Sequence, residues 1–167
     1  MSRLDRDEHY IIDICDHVLG VTALRQHRFP FLTGDPGPSG RRYPLPLDAY
    51  YEHLQLVVEY RERQHSEAVP FWDRKPTASG CSRGEQRRRY DERRRIVLPQ
   101  HGIALVELDY TMFECGGRKR LRRVAADEDV IRSQLAEYVS RASGTGTAQS
   151  PFRVHGNPRT RPTDTAS

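Results

Sequence analysis

Leu45-Pro46-Leu47-Asp48-Ala49-Tyr50-Tyr51 is followed by Glu52-His53 and then by Leu54-Gln55-Leu56-Val57-Val58-Glu59-Tyr60-Arg61. Two apolar, β-prone runs flank a short polar connection, and this pattern predicts a β-hairpin. With Glu52-His53 as a two-residue turn, Tyr51 opposes Leu54 and Asp48 opposes Val57. Side chains alternate across a sheet. One face then carries Leu47, Ala49, Tyr51, Leu54, Leu56 and Val58, all apolar. The other carries Asp48, Tyr50, Gln55, Val57, Glu59 and Arg61. Two carboxylates and an arginine thus share a face on adjacent strands, and a register slip of one residue would separate them.

Toward the N-terminus, residues 8–19 repeat apolar residues at helical spacing. Ile11, Ile14 or Cys15, and Val18 with Leu19 form a stripe that Gly20 stops. Residues 21–43 read as irregular, with a loop by composition at Gly34-Asp35-Pro36-Gly37-Pro38-Ser39-Gly40. Phe29, Phe31 and Leu32 are expected to pin this segment to the core. Toward the C-terminus, residues 62–81 form a polar excursion. Ser82 with Glu85 has the form of a capping box and opens a helix over 82–98, ended by Pro99 and Gly102. Residues 103–110 read as a third strand, and 127–141 as a last helix with Val130, Ile131, Leu135 and Val139 inward. The order predicts a small α/β domain, a mixed β-sheet flanked by helices. The strand–helix–strand step is expected to be a right-handed crossover that sets the last strand parallel to one of the pair.

The chain has 167 residues, 36% hydrophobic and 30% charged, with a mean hydropathy of −0.79. That suits one domain, expected over 1–141. Residues 142–167 are rich in Ser, Thr, Gly and Pro, and a disordered tail is expected there. No apolar run is long enough to span a bilayer. The N-terminal Met1-Ser2-Arg3-Leu4-Asp5-Arg6-Asp7-Glu8 lacks the apolar stretch of a signal peptide, so a cytoplasmic protein is expected. Cys15, Cys81 and Cys115 are too widely spaced for a disulfide framework, and no CxxC or HxxxH spacing points to zinc.

Net charge is +4, and Lys75 and Lys119 are the only lysines, so the base is almost all arginine. The planar guanidinium fork suits phosphate, which makes nucleic acid a candidate partner. A GC-rich genome would enrich arginine equally. Clustering separates the two readings better than total charge does. Arg83, Arg87, Arg88, Arg89, Arg93, Arg94 and Arg95 lie on one helix, where steps of three and four bring Arg87 near Arg94 and Arg88 near Arg95. Such a helix can track phosphates, or be a solvated face partly neutralised by Glu85, Asp91 and Glu92. The run Arg118 to Arg123 is a second basic patch. Phe71-Trp72 beside Asp73-Arg74-Lys75 can stack on bases or anchor a long loop to the core.

Asp48 and Glu59 are the main chemical signal. Paired carboxylates on adjacent strands make a hard-oxygen site suited to Mg²⁺ or Mn²⁺. Such an ion polarises a phosphoryl oxygen and lowers the pKa of a bound water. The alternative is two ordinary acids on a solvated sheet face.

Leu47-Asp48, Val57-Val58-Glu59-Tyr60, Gln64-His65, Asp91 with Arg94, and Gly102-Ile103 leading into Leu105-Val106 resemble the PD-(D/E)xK nuclease superfamily. Within it, the pattern looks most like the very-short-patch-repair-type endonucleases and their uncharacterised bacterial relatives. The resemblance covers roughly residues 44–108. It implies a restriction endonuclease-like fold, with an aspartate opening the second strand and a glutamate ending the third. A Gln-His element follows, then a helix with Asp-x-x-Arg, then Gly-Ile and a final strand. It further implies Mg²⁺- or Mn²⁺-dependent hydrolysis of DNA, with Asp48 and Glu59 holding metal. Arg61 stands where such sites carry lysine. An arginine stays protonated, so it can stabilise the transition state but cannot act as a base. Gln64 would orient the attacking water, and His65 would assist the water or the leaving oxygen. Arg87, Arg88, Arg94 and Arg95 would grip the DNA backbone. Glu8, Asp13 or Asp16 of the first helix would complete the site. A nuclease that cuts both strands often pairs with itself, so a homodimer is compatible. A non-catalytic nucleic-acid-binding module on the same scaffold, and a structural or protein-interaction domain, are the alternative functions.

Overall fold

A computed structural model describes residues 5–62, 82–116 and 120–143, with side chains from residue 7. The elements run α1 (Asp5–Leu19), β1 (Leu24–His27), β2 (Leu47–Tyr51), a 3₁₀ turn (Glu52–Leu54) and β3 (Leu56–Arg61). After them come α2 (Arg83–Gln100), β4 (Ala104–Asp109), a second 3₁₀ turn (Tyr110–Met112), α3 (Ala126–Gln134) and α4 (Ala136–Ser143). The four strands lie in the order β1-β2-β3-β4. The first three form an antiparallel meander, and α2 returns the chain so that β4 runs parallel to β3. The result is a four-stranded mixed sheet flanked by helices.

β1 falls inside the stretch expected to be irregular. Leu-Arg-Gln-His has no alternation, and its residues are exposed or half-buried. Pairing with β2, Leu24 to Tyr50 and Arg25 to Ala49, makes it a strand. Its short length and the left-handed Gln26 (φ 52°) blunt the exposed edge.

The hairpin forms with a different register. Tyr51 pairs with Leu56 and Ala49 with Val58, two residues beyond the expected pairing. A two-residue turn would need positive φ at Glu52 or His53, which neither residue favours. Instead the 3₁₀ turn buries Leu54, and Gln55 takes the left-handed conformation (φ 48°), its N–H donating to Glu52 O. A shift of two preserves both faces. It also moves the strand position facing Asp48 from Val57 to Glu59.

The apolar face holds Ala49, Tyr51, Leu56 and Val58, joined by Tyr60 and Leu108. It packs on Ile11, Ile12, Cys15, Val18 and Leu19 of α1, and on Ile131 and Leu135. The other face is not a solvated surface. Tyr50 and Val57 are buried with Leu32, Leu45, Leu47, Leu98 and Ile103. Leu47 thus belongs to this second cluster rather than the first. α2 lies over this face. Its mean composition is strongly polar, so burial of Leu98, more than helix amphipathicity, locates it.

Ser82 caps α2 as expected, its Oγ accepting from Glu85 N at 3.2 Å. The helix continues through Pro99 to Gln100, and Gly102 (φ 71°) closes it. The expected single helix over 127–141 is two helices, because the chain turns at fully buried Leu135 (ψ 11°). Ala142 and Ser143 are helical, and the rest of the expected tail lies outside the described residues. No helix among the described residues is long and apolar enough to cross a membrane.

Candidate functional site

Asp48 and Glu59 meet where β2 begins and β3 nears its end. Asp48 N donates to Glu59 Oε1 at 3.2 Å, and Tyr60 N donates to Asp48 Oδ2 at 2.9 Å. Side-chain carboxylates here accept from backbone N–H groups of the opposite strand. Each carboxylate is thereby held against the other's strand.

α2 and β4 complete the site. Arg94 projects from α2 with only 13% of its side chain exposed, and its Nε lies 3.6 Å from Glu59 Oε2. Its Nη1 donates to Asp91 Oδ1 (3.2 Å) and its Nη2 to Pro46 O (3.0 Å). Arg61 donates from Nη2 to Asp91 Oδ2 (3.1 Å) and pairs through Nη1 with Glu107 Oε1 (3.3 Å). Arg95 makes a bidentate pair with Glu107, at 2.8 and 3.1 Å. Among the described residues, Nε of Arg61 and Nε of Arg94 are buried and donate no hydrogen bond. Buried donors of this kind are rare. Asp48, Glu59, Arg61, Asp91, Arg94 and Glu107, with Glu8 and Glu62, line a cavity of about 200 Å³.

Burial pushes the Glu59 carboxyl up from 4.5 to about 8, and the Asp48 charge adds to it. Arg94 and the Asp48 N–H oppose the rise, while Asp91 supports it. The pair is thus short of positive charge even with Arg94 beside it. A hard divalent cation fits that deficit and the oxygen donor set. No group of three or more His, Cys, Asp or Glu side chains among the described residues is placed to hold a metal. Asp48 and Glu59 are the two carboxylates that could contribute to such a site.

Of the sequence-expected residues, Asp48, Glu59, Arg61 and Arg94 come together. Gln64, His65, Phe71, Trp72 and Lys75 lie outside the described residues, as do Arg118 and Lys119. The α2 arginines divide by face. Arg94 points into the carboxylates, Arg95 is exposed but engaged by Glu107, Arg87 is half-buried, and Arg88 is exposed. Among the first-helix acids, Glu8 reaches the cavity. Asp13 and Asp16 instead hold Arg25 at 2.9 and 2.7 Å, and Asp16 also accepts from Tyr51 Oη and Ala23 N.

Glu107 was not anticipated. Its signal is the likeness of Leu56-Val57-Val58-Glu59 to Ala104-Leu105-Val106-Glu107. The two runs pair in parallel with Glu59 beside Glu107, and paired residues point to the same face of a sheet. Compared with family models, curated proteins and solved structures, the chain matches none.

Proposed function

We propose that the chain is a metal-dependent endonuclease that hydrolyses DNA phosphodiester bonds on a restriction endonuclease-like scaffold. The observation that carries this reading is the direct opposition of Asp48 and Glu59 in a cavity they share with Arg61 and Arg94. The element order supports it. Asp48 stands near the start of the second strand, Glu59 near the end of the third, Asp91 and Arg94 on the following helix, and Gly102-Ile103 before the last strand. This is the order the resemblance implies.

Asp48 and Glu59 would hold Mg²⁺ or Mn²⁺. A bound ion there supplies Lewis-acid polarisation of a phosphoryl oxygen and a more acidic water. Arg61 and Arg94 would set their guanidinium charge beside the phosphate, where negative charge grows in the transition state. Both stay protonated, so neither is the base. Gln64 would orient the water, and His65 would carry the proton to or from it. Arg87, Arg88 and Arg95 would contact the DNA backbone from α2. Cuts through both strands call for two sites, which a homodimer would supply.

The test is incubation with supercoiled plasmid, linear duplex and single-stranded DNA in Mg²⁺, Mn²⁺ or EDTA, beside Asp48→Ala and Glu59→Ala. Metal-dependent cutting that both substitutions abolish is the expected result. Cutting that survives in either variant refutes the assignment. One observation favours a second reading, a non-catalytic nucleic-acid-binding module. Arg94 already sits against Glu59 and Asp91, so the acids have an internal counter-ion. That reading expects salt-sensitive DNA binding with no cutting in any metal.

A further inference from the structure

The segment before β2 folds into a hairpin. Gly34 N donates to Tyr43 O (2.9 Å), Leu45 N to Leu32 O (2.8 Å), and Thr33 bridges Pro44 antiparallel. Gly37 N donates to Arg41 O (2.9 Å), and Gly40 (φ 76°) closes the tip. α2 holds the base of this hairpin firmly. Tyr90 Oη accepts from Asp35 N at 3.0 Å, and Arg93 donates to Thr33 O (2.7 Å) and Asp35 Oδ1 (3.0 Å). A Cβ on Gly34 would sit 3.0 Å from Tyr90 Oη, so helix and hairpin are in close contact.

The charge on this hairpin is one-sided. Between residues 28 and 45 the only acid is Asp35, which is turned inward and neutralised by Arg93. Arg28, Arg41 and Arg42 have no carboxylate partner among the described residues. Arg28 donates to Pro44 O and Arg42 to Gly34 O (3.2 Å), both neutral carbonyls. Arg41 lies over the Tyr43 ring at 5.6 Å, and Tyr43 as a residue is 59% exposed. Most of the α2 arginines, by contrast, are engaged by carboxylates.

We propose that this docked hairpin is a nucleic-acid-binding finger in which Arg28, Arg41 and Arg42 contact phosphates and Tyr43 packs on sugar or base. The identity of the partner rests on the nuclease reading. Guanidinium groups met only by carbonyls keep their full charge for phosphate, and an exposed tyrosine gives a sequence-tolerant stacking surface. Reach agrees with this placement. Tyr43 is five residues before Asp48, a separation of at most about 17 Å along an extended chain. That is about five base-pair steps at 3.4 Å each. The finger and the carboxylate pair thus lie within the span of one short duplex.

The experiment is fluorescence anisotropy of labelled duplex and single-stranded oligonucleotides with the full chain in EDTA, titrated with salt. The variants are Arg41→Ala/Arg42→Ala, Arg41→Lys/Arg42→Lys and Tyr43→Ala. Each lost phosphate contact lowers the slope of log K against log salt by about 0.9. The double alanine variant is therefore expected to lose about 2 from the slope and on the order of 60-fold in affinity at 0.1 M salt. The double lysine variant retains the slope, and Tyr43→Ala weakens single-stranded binding most. Wild-type binding that the double alanine variant leaves unchanged overturns the proposal and leaves the nuclease reading standing. Absence of nucleic-acid binding combined with binding to anionic phospholipid vesicles also overturns it, counts against the nuclease reading, and assigns the patch to a membrane surface. No binding to either overturns it as well. A chain that binds through this hairpin but cuts nothing in any metal sinks the nuclease reading and leaves the finger intact.

Discussion

Metal-free protein should lose stability as pH rises, because Glu59 is buried beside Asp48. Its folded-state carboxyl titrates near 8, against 4.5 in the absence of that environment. Between these values the native state holds a proton that the unfolded chain has released. Stability therefore falls as pH rises through this window. At about 1.4 kcal/mol per pH unit the full loss has a ceiling of about 5 kcal/mol. That is a large part of the 5–15 kcal/mol, roughly, that holds a domain folded. Urea unfolding in EDTA at pH 5, 6, 7, 8 and 9 reads this directly. With an m-value of about 2 kcal/mol per molar, the midpoint should drop by about 2 M. Glu59→Gln removes the titration and should flatten the profile, so that the variant exceeds wild type above pH 8. Taking the difference between the two cancels the histidines and other groups. Mn²⁺ should restore the wild-type midpoint at pH 8–9 and do little for the variant. Parallel pH profiles for wild type and Glu59→Gln would refute the electrostatic account of the site.

Three further outcomes follow from the packing. Leu98→Ala should cost about 2–5 kcal/mol in urea unfolding, since Leu98 is fully buried between α2 and the sheet. Asp127→Ala should cost about 1–3 kcal/mol, because Asp127 is 2% exposed and accepts from Tyr10 Oη (2.8 Å) and Val124 N (3.0 Å). In a Cys81→Ser background, a thiol reagent at pH 8 should modify exposed Cys115 promptly. It should reach Cys15 only on unfolding, since burial pushes that thiol up to about 12.

The carboxylate site owes its character to a mixture of signs. Asp48, Glu59, Asp91 and Glu107 face Arg61 and Arg94 across a short span, and each arginine touches two of the acids. A buried ion-pair network of this kind contributes little net stability, because desolvation offsets attraction. Removing one member is costly all the same, since its partners are left buried with unmatched charge. Arg94→Ala should therefore destabilise the fold more than Arg88→Ala, which removes only an exposed side chain.

Local pattern determined much of this protein. The alternation over 47–51 and 56–61, the stripe of α1, the Ser82 cap and the third strand all come from interactions within a few residues, so they can be read in order along the chain. So can the shared face of Asp48, Glu59 and Arg61, because alternation survives any even shift of register. Tertiary structure decided the rest. β1 exists because β2 offers it partners, and Leu135 bends the last helix because both halves must reach α1. Burial of Leu54 lengthened the turn by two residues, which carried Asp48 from Val57 to Glu59. The parallel return of β4 brought Glu107 alongside, and α2 turned Arg94 inward while leaving Arg88 outside. A sequence places side chains on faces through short-range geometry. Which charges then meet across the sheet depends on register and on helix docking, and long-range apolar burial sets both.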